Sequence, residues 1–474
     1  LDDHVKNLFL ETVARQFDPH TNYFNLDDKL LFENSLSKES LSFGFEMDYN
    51  FANELVITQL TVGGPAWNSK QIHENDVIKK LVTSDGKELL PGCIEIEELW
   101  RGITASIGLD LHLMTADGKA KVVNLKQEKL PTEENIISSL VLQGESKVGY
   151  IRLPSFYTQF EDDYPQLGCA NDVAKEIINL KKENIKGLIL DLRDNGGGSM
   201  KEAIELVGIF INEGIFFLVK EKDRPTRVIK DVNKGLAYDG PLIIMVNSRS
   251  ASASELVAAS LQSYNRALIV GSRTYGKATG QNMFAIPRSQ ALVKVTTSKF
   301  FRTDGSTYQK YGVLPDIQLP DLYEKIVPRE MDEQKAISED RSFKNVTFEA
   351  LPALPLSRLI AESKSRLEAN KFFQRVNQLN HSLTNLVNRE DPIPLHLDKF
   401  REEAIIFAEL LDLLQNKPVE DQAFTVTNHA NVQRLILFNQ EAKIINEQLI
   451  KQAGGDPYLQ EAYFSIQSLI SINP

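Results

Sequence analysis

Cysteine is scarce: the 474-residue chain has two, Cys93 and Cys169. Two cysteines 76 positions apart build neither a disulfide framework nor a metal-ligand cluster, and their redox state is left open. Positive charge is also in deficit. Against 65 Asp and Glu stand 53 Lys and Arg, a net charge of −12, which excludes nucleic acid as the main partner because phosphate binding needs a clustered cationic surface. Long apolar runs are missing too. The strongest, PLIIMV (241–246) and GIFFLV (214–219), are strand-length, far short of the roughly 18 residues of a membrane helix, so no transmembrane segment is expected. There is no internal repeat and no low-complexity tract. The chain begins LDDHVK, without Met or a charged-then-apolar leader; it reads as a processed or cut form, and the lack of a signal peptide says little about location.

What is present is an ordinary folded composition, 42% hydrophobic and 25% charged, on a chain long enough for three or four domains. Residues 1–38 read as a polar, helical lead-in, broken by the turn FDPHTNYF (17–24) at Asp18-Pro19. Over 39–128, short alternating stretches such as LSFGFEM and NELVITQL, separated by turn signals at GGP and SDGKE, predict a small β-rich domain interrupted by one helix-like piece at 93–103. A core over 129–328 follows, in which near-continuous apolar runs (VGYIRL, GLILDLR, PLIIMV, ALIVG) alternate with helical patterns. That order predicts a multidomain α/β protein whose βαβ core carries a largely parallel sheet, buried on both faces. Residues 329–474 keep a 3.6-residue period and predict a helical C-terminal domain packed on the rest.

Three segments of the core carry chemistry-bearing residues. In NSRSASASELVAASLQ (247–262), serines occupy positions 250, 252 and 254, between a strand-like run and a helix-like one. Ser252 and Glu255 fit the capping box S-x-x-E. Strand, tight turn and helix is also the arrangement that exposes a nucleophile beside free helix N-terminal amides. A serine nucleophile needs a base, yet none of the seven histidines (4, 20, 73, 112, 381, 396, 429) lies within 147–320. One could fold in from another domain. The simpler candidate is Lys277 in GSRTYGKATGQ (271–281), flanked by Gly276 and Gly280; burial would lower its pKa and keep it neutral. Gln281, four residues on, could orient the amine without adding charge. The third segment, LILDLRDNGGGSM (188–200), is again strand, glycine turn, helix. It lacks the Lys-Ser/Thr of a phosphate loop, but its bare amides could supply an oxyanion donor opposite that of Ala253.

Together and in this order, DLRDNGGGS, SASASE and GKATGQ resemble the tail-specific, or carboxyl-terminal processing, proteases, and FDPHTNYF, GYIRLPSFY (149–157) and FFRTDGSTYQKYGVLPDI (300–317) extend the likeness over most of 17–320. The resemblance implies a crotonase- or Clp-protease-like core with Ser252 as nucleophile, Lys277 as general base, Gln281 as its orienting partner, and Gly198 and Ala253 as oxyanion amides. Ser250 and Ser254 are then structural. It makes the 39–128 unit an inserted PDZ domain, on LSFGF, GGPAW and ENDVI, with Phe43, Gly44 and Phe45 near a substrate's terminal carboxylate. Asn75 stands where relatives usually have Gly, tolerable because Asn enters the left-handed region; Ser263 stands where some carry an acid, so no catalytic acid is assigned there. The implied partners are proteins or peptides with exposed C-terminal tails, with room for an adaptor protein the sequence does not identify. The implied location is the periplasm, and no metal or cofactor is implied. Two rivals stand beside this reading: an inert PDZ-bearing scaffold on the same fold, and a Ser-His hydrolase of small esters whose histidine comes from outside the core.

Overall fold

The computed structural model describes residues 2–50, 52–115, 117–131, 137–158, 167–231, 235–289, 291–342, 346–387, 396–415 and 422–472. At its centre is a seven-stranded sheet in the order Ile317–Gln318, Leu268–Gly271, Leu242–Val246, Gly187–Asp191, Lys147–Arg152, Ser138–Gln143, Thr425–Thr427. The first five strands run parallel; the last two pair antiparallel. Alternation along each strand divides the side chains between two cores. Leu188, Leu190, Ile244 and Val246 pack against the helices Cys169–Lys182, Met200–Phe210 and Ala253–Ser263. Ile189, Ile243, Met245 and Val270 pack against Phe372, Phe373, Leu459 and Ile466 of the C-terminal helices. The near-continuous apolar runs are thus explained, since neither face meets water. Each fully buried Leu or Ile contributes roughly 1.5–3 kcal/mol, and the C-terminal helices cover one of the two faces of the sheet.

A second, antiparallel sheet joins Asn22–Phe24, Leu292–Phe301, Gly214–Glu221 and Arg227–Asp231, with Thr279–Ala285 also paired to Leu292–Phe301. Two features depart from the helical expectations at the ends of the chain. Asn22–Phe24 of the lead-in is a strand, drawn out by pairing with Leu292–Lys294, and Thr425–Thr427 is a strand because it extends the central sheet beyond Ser138–Gln143.

The β-rich unit has its own sheet, in the order Phe45–Tyr49, Leu55–Leu60, Val77–Thr83, Gly108–Met114, Ala120–Lys126, and its own core, to which Leu99 and Ile103 of the helix Ile96–Thr104 belong. The chain enters and leaves it through one ribbon, Glu39–Ser42 paired with Glu128–Pro131. Asn75 sits at φ 69°, the left-handed conformation that asparagine tolerates better than most residues.

Candidate active site

Because Gly187–Asp191 and Leu242–Val246 are adjacent and parallel, the glycine turn and the serine turn emerge side by side from the same end of the sheet. Two asparagines lace them together. The Asn247 side chain accepts from the Asp194 amide at 3.0 Å and donates to the Asp194 carboxylate at 2.8 Å. The Asn195 carbonyl receives the Ala251 amide at 3.0 Å and the Ser254 hydroxyl at 2.8 Å, while its side chain holds the Gly197 amide at 2.9 Å.

The three serines now separate by environment. Ser250 is buried, accepts from the Asn247 amide and donates to the Leu192 carbonyl at 2.7 Å; Ser254 is buried on Asn195. Ser252 between them is half-buried and has φ 55° and ψ −109°. A side chain in such a region costs about 1–3 kcal/mol and persists only where its surroundings impose it, as at active sites. Gly197, at φ 107°, is the reason nothing crowds this serine: a Cβ there would lie 2.9 Å from Ser252 Cβ and 3.2 Å from the Ala253 nitrogen. Gly198, expected as an oxyanion donor, packs along Phe156, whose carbonyl a Cβ would meet at 2.5 Å. Gly197 was not anticipated, because three glycines in a row do not reveal which one faces the neighbouring turn.

Glu255 joins the serine to the lysine. Its carboxylate is fully buried; one oxygen, Oε2, accepts the backbone amides of both Ser252 and Lys277, each at 2.8 Å. The two nitrogens therefore lie no more than twice that distance apart. The other oxygen accepts the Thr274 hydroxyl at 2.6 Å and the Gly276 amide at 2.7 Å. Burial pushes the Glu255 pKa up to about 7 against those four donors. Its capping-box spacing was legible, but not its reach across to the lysine loop.

Lys277 is half-buried. Burial first, and then the positive charge of Lys294, bring its pKa down to about 8, against the opposing carboxylates of Glu330, Glu255 and Asp18. An amine so placed is partly neutral near physiological pH and can accept a proton. Gln281 lies on the strand Thr279–Ala285, and its amide nitrogen donates to the hydroxyls of Thr279 at 3.1 Å and Thr296 at 3.2 Å; Lys277 is not among these partners. His20 also reaches this neighbourhood, as a partner of Glu330 at 2.6 Å. Among the described residues no group of three or more His, Cys, Asp or Glu is placed to hold a metal, and no helix is long and apolar enough to cross a membrane.

In the β-rich unit, Phe43 and Phe45 are buried and Gly44 has φ 74°. The Gly44 amide donates to Ser42 Oγ at 3.0 Å, and the carbonyls of Phe43 and Gly44 accept the Ala66 and Thr61 amides. Phe45–Tyr49 ends the sheet order, and Phe45 stacks on Trp100 of the neighbouring helix with centroids 6.2 Å apart.

Residues 147–319 match the model of "Peptidase family S41". The chain is 30% identical over 352 residues to the tail-specific protease of Haemophilus influenzae, covering 72% of this chain and 49% of the relative. It is 28% identical over 305 residues to a CtpA-like serine protease of Staphylococcus aureus, covering 64% and 57%. The chain thus spans about half the length of the curated relatives it matches. Among solved structures, a photosystem II D1 C-terminal processing protease aligns at 22% identity with a TM-score of 0.39, over 65% of this chain and 80% of that one.

Proposed function

We infer, from the match of residues 147–319 to the model of peptidase family S41, that this chain is a serine endopeptidase working through a Ser252–Lys277 dyad. The observation that carries the reading is the single Glu255 oxygen accepting both the Ser252 and the Lys277 amides, which supports a joint action of the two residues. Neutral Lys277 takes the Ser252 proton as the serine oxygen attacks a peptide carbonyl. The amides of Ala253 and Gly198 receive the developing oxyanion. Collapse of the tetrahedral intermediate breaks the C–N bond, and the lysine ammonium returns its proton to the leaving amine. Water, deprotonated by the same lysine, then hydrolyses the acyl-enzyme. Gln281 acts on the lysine through the strand it shares with Thr279 rather than through direct contact.

The domain division that accompanies this reading is a PDZ domain over 39–128, the peptidase core over 129–328 and helical segments over 1–38 and 329–474. A substrate's C-terminal tail adds as a strand to the edge of Phe45–Tyr49, its carboxylate near Phe43, Gly44 and Phe45, where it displaces the Ser42 hydroxyl from the Gly44 amide. The site of action is the periplasm. The test is degradation of an unfolded protein by the wild type, Ser252→Ala and Lys277→Arg. Both variants should be inactive, the second because arginine keeps its charge and cannot serve as a base; an active Ser252→Ala would mean another nucleophile, and a wild type that degrades nothing would leave the inert-scaffold reading standing. The proximity of His20 favours one further comparison. A Ser-His hydrolase predicts His20→Ala as dead as Ser252→Ala and an active Lys277→Arg.

A further inference from the structure

The lead-in turn DPHT does more than end a helix. Asp18, buried, accepts the Thr296 hydroxyl at 2.8 Å and the His20 amide at 2.9 Å on one oxygen, and the Thr21 hydroxyl at 2.6 Å on the other. Thr21 Oγ1 in turn accepts the Thr296 amide at 3.1 Å. Thr296 is the residue whose hydroxyl receives the Gln281 amide, so one chain of hydrogen bonds runs from Asp18 to the strand just after Lys277. A second chain comes from the opposite side. His20 Nε2 meets Glu330 Oε2 at 2.6 Å, across 310 positions of sequence. Glu330 Oε1 accepts from Gln309 Nε2 at 2.8 Å, and Gln309 Oε1 accepts the Ala278 amide at 2.7 Å. The Glu330 amide donates to the Tyr275 carbonyl at 3.2 Å. Tyr275 and Ala278 bracket Lys277.

A turn that only had to reverse the chain would not bury a carboxylate at each end of such a lattice, because a buried charge is costly unless its donors are placed for it. We propose that His20 and Glu330, with Asp18 and Thr21, are positioning residues of the active site that hold the Lys277 segment over Ser252. The inference rests on the dyad proposed above. The groups facing the lysine are Lys294 from the antiparallel sheet, Glu255 from the serine helix, Glu330 from the turn after the core, and Asp18 from the lead-in. The carboxylates favour the ammonium form and Lys294 opposes it, so the lattice sets both the place of the amine and the pH at which it becomes neutral.

The experiment measures kcat and KM for degradation of an unfolded protein from pH 6 to 10, using wild type, His20→Ala, His20→Gln, Asp18→Asn and Glu330→Gln, with Ser252→Ala and Lys277→Arg as references and a melting curve for each. His20→Ala should lower kcat by about 100-fold, the scale of a 1 Å misplacement, with KM little changed. His20→Gln, which keeps a donor for Glu330, should recover part of the loss. Glu330→Gln and Asp18→Asn should move the acid limb to lower pH, because each removes a charge that favours the ammonium. If His20→Ala and Asp18→Asn melt as the wild type does and keep its kcat and its pH profile, the proposal is overturned, whatever becomes of Glu330→Gln. If instead Lys277→Arg is active, the dyad fails first; with His20→Ala as dead as Ser252→Ala, histidine is then the base and the positioning role falls with the dyad.

Discussion

Lys294→Met tests whether the lysine base is tuned by its neighbours. The Lys294 ammonium lies 5.2 Å from the centroids of both Phe24 and Phe32, and methionine keeps an apolar stem on those rings while deleting the charge. In the wild type, Lys277 titrates near 8, lowered first by burial and then by Lys294. On the proposed dyad the active form is the neutral amine, so kcat/KM should fall about tenfold for each pH unit below that value and be about 100-fold down at pH 6. Removing the like charge lets the Lys277 pKa climb back toward 10.5 without reaching it, because burial remains. The acid limb should therefore move to higher pH, activity at pH 7 should drop, and the alkaline plateau should stay where it was. Added salt should alter the shift little, since screening is weak between buried groups. The assay is initial cleavage rate of one tail-bearing peptide at constant ionic strength over pH 6 to 10. A limb that stays in place, moves down, or comes with a plateau reduced in proportion would refute the electrostatic reasoning, because simple misplacement lowers the plateau and leaves the limb alone.

Ser252→Gly should abolish cleavage while raising stability by about 1 kcal/mol, the low end of the strain at φ 55° and ψ −109°; a melting temperature no higher than that of Ser252→Ala would speak against strain at the serine. Lys277→Met should be inactive yet more stable than wild type below about pH 8. There the folded wild type holds a buried ammonium that the unfolded chain, titrating near 10.5, holds more easily, so the gap should close as pH rises between those values; denaturant melts at pH 7 and 10 check it. Ser254→Ala should keep activity at a stability cost of about 0.5–1.5 kcal/mol, for the buried Asn195 carbonyl loses the Ser254 donor and keeps the Ala251 amide. Amidating a substrate's C-terminus, or ending it in Asp-Asp, should slow degradation of an unfolded protein and affect a short internal peptide less; equal rates for free, amidated and acidic tails would remove the tail-binding role from the β-rich unit.

How far these residues were legible in sequence depends on whether their contacts are local. GLILDLR and PLIIMV announced themselves because both faces of their strands are buried, which keeps the stretches GLIL and LIIMV free of polar residues. LVKVTTSKFF, by contrast, is a ten-residue strand whose first eight residues are half-exposed, so polar and apolar residues mix, and nothing in its pattern says that Asn22–Phe24 will pair with its start. The site divides in the same way. A serine turn and a lysine between glycines are short motifs, and the absence of histidine from 147–320 pointed to the lysine. That argument by absence was incomplete, because a contact spanning 310 positions brings His20 against Glu330 beside the lysine loop. Glu255 marks the boundary between the two kinds of information. Its spacing from Ser252 reads correctly as half of a helix cap, and the cap bond is made at 2.8 Å. The same oxygen also accepts the Lys277 amide, an interaction that exists only because the strand Leu268–Gly271 returns the chain beside the serine helix. A local stabilising motif thereby becomes the joint between the serine turn and the lysine loop. Replacing Glu255 should consequently cost activity beyond what the loss of one cap would explain, since it frees the lysine loop as well as the helix end.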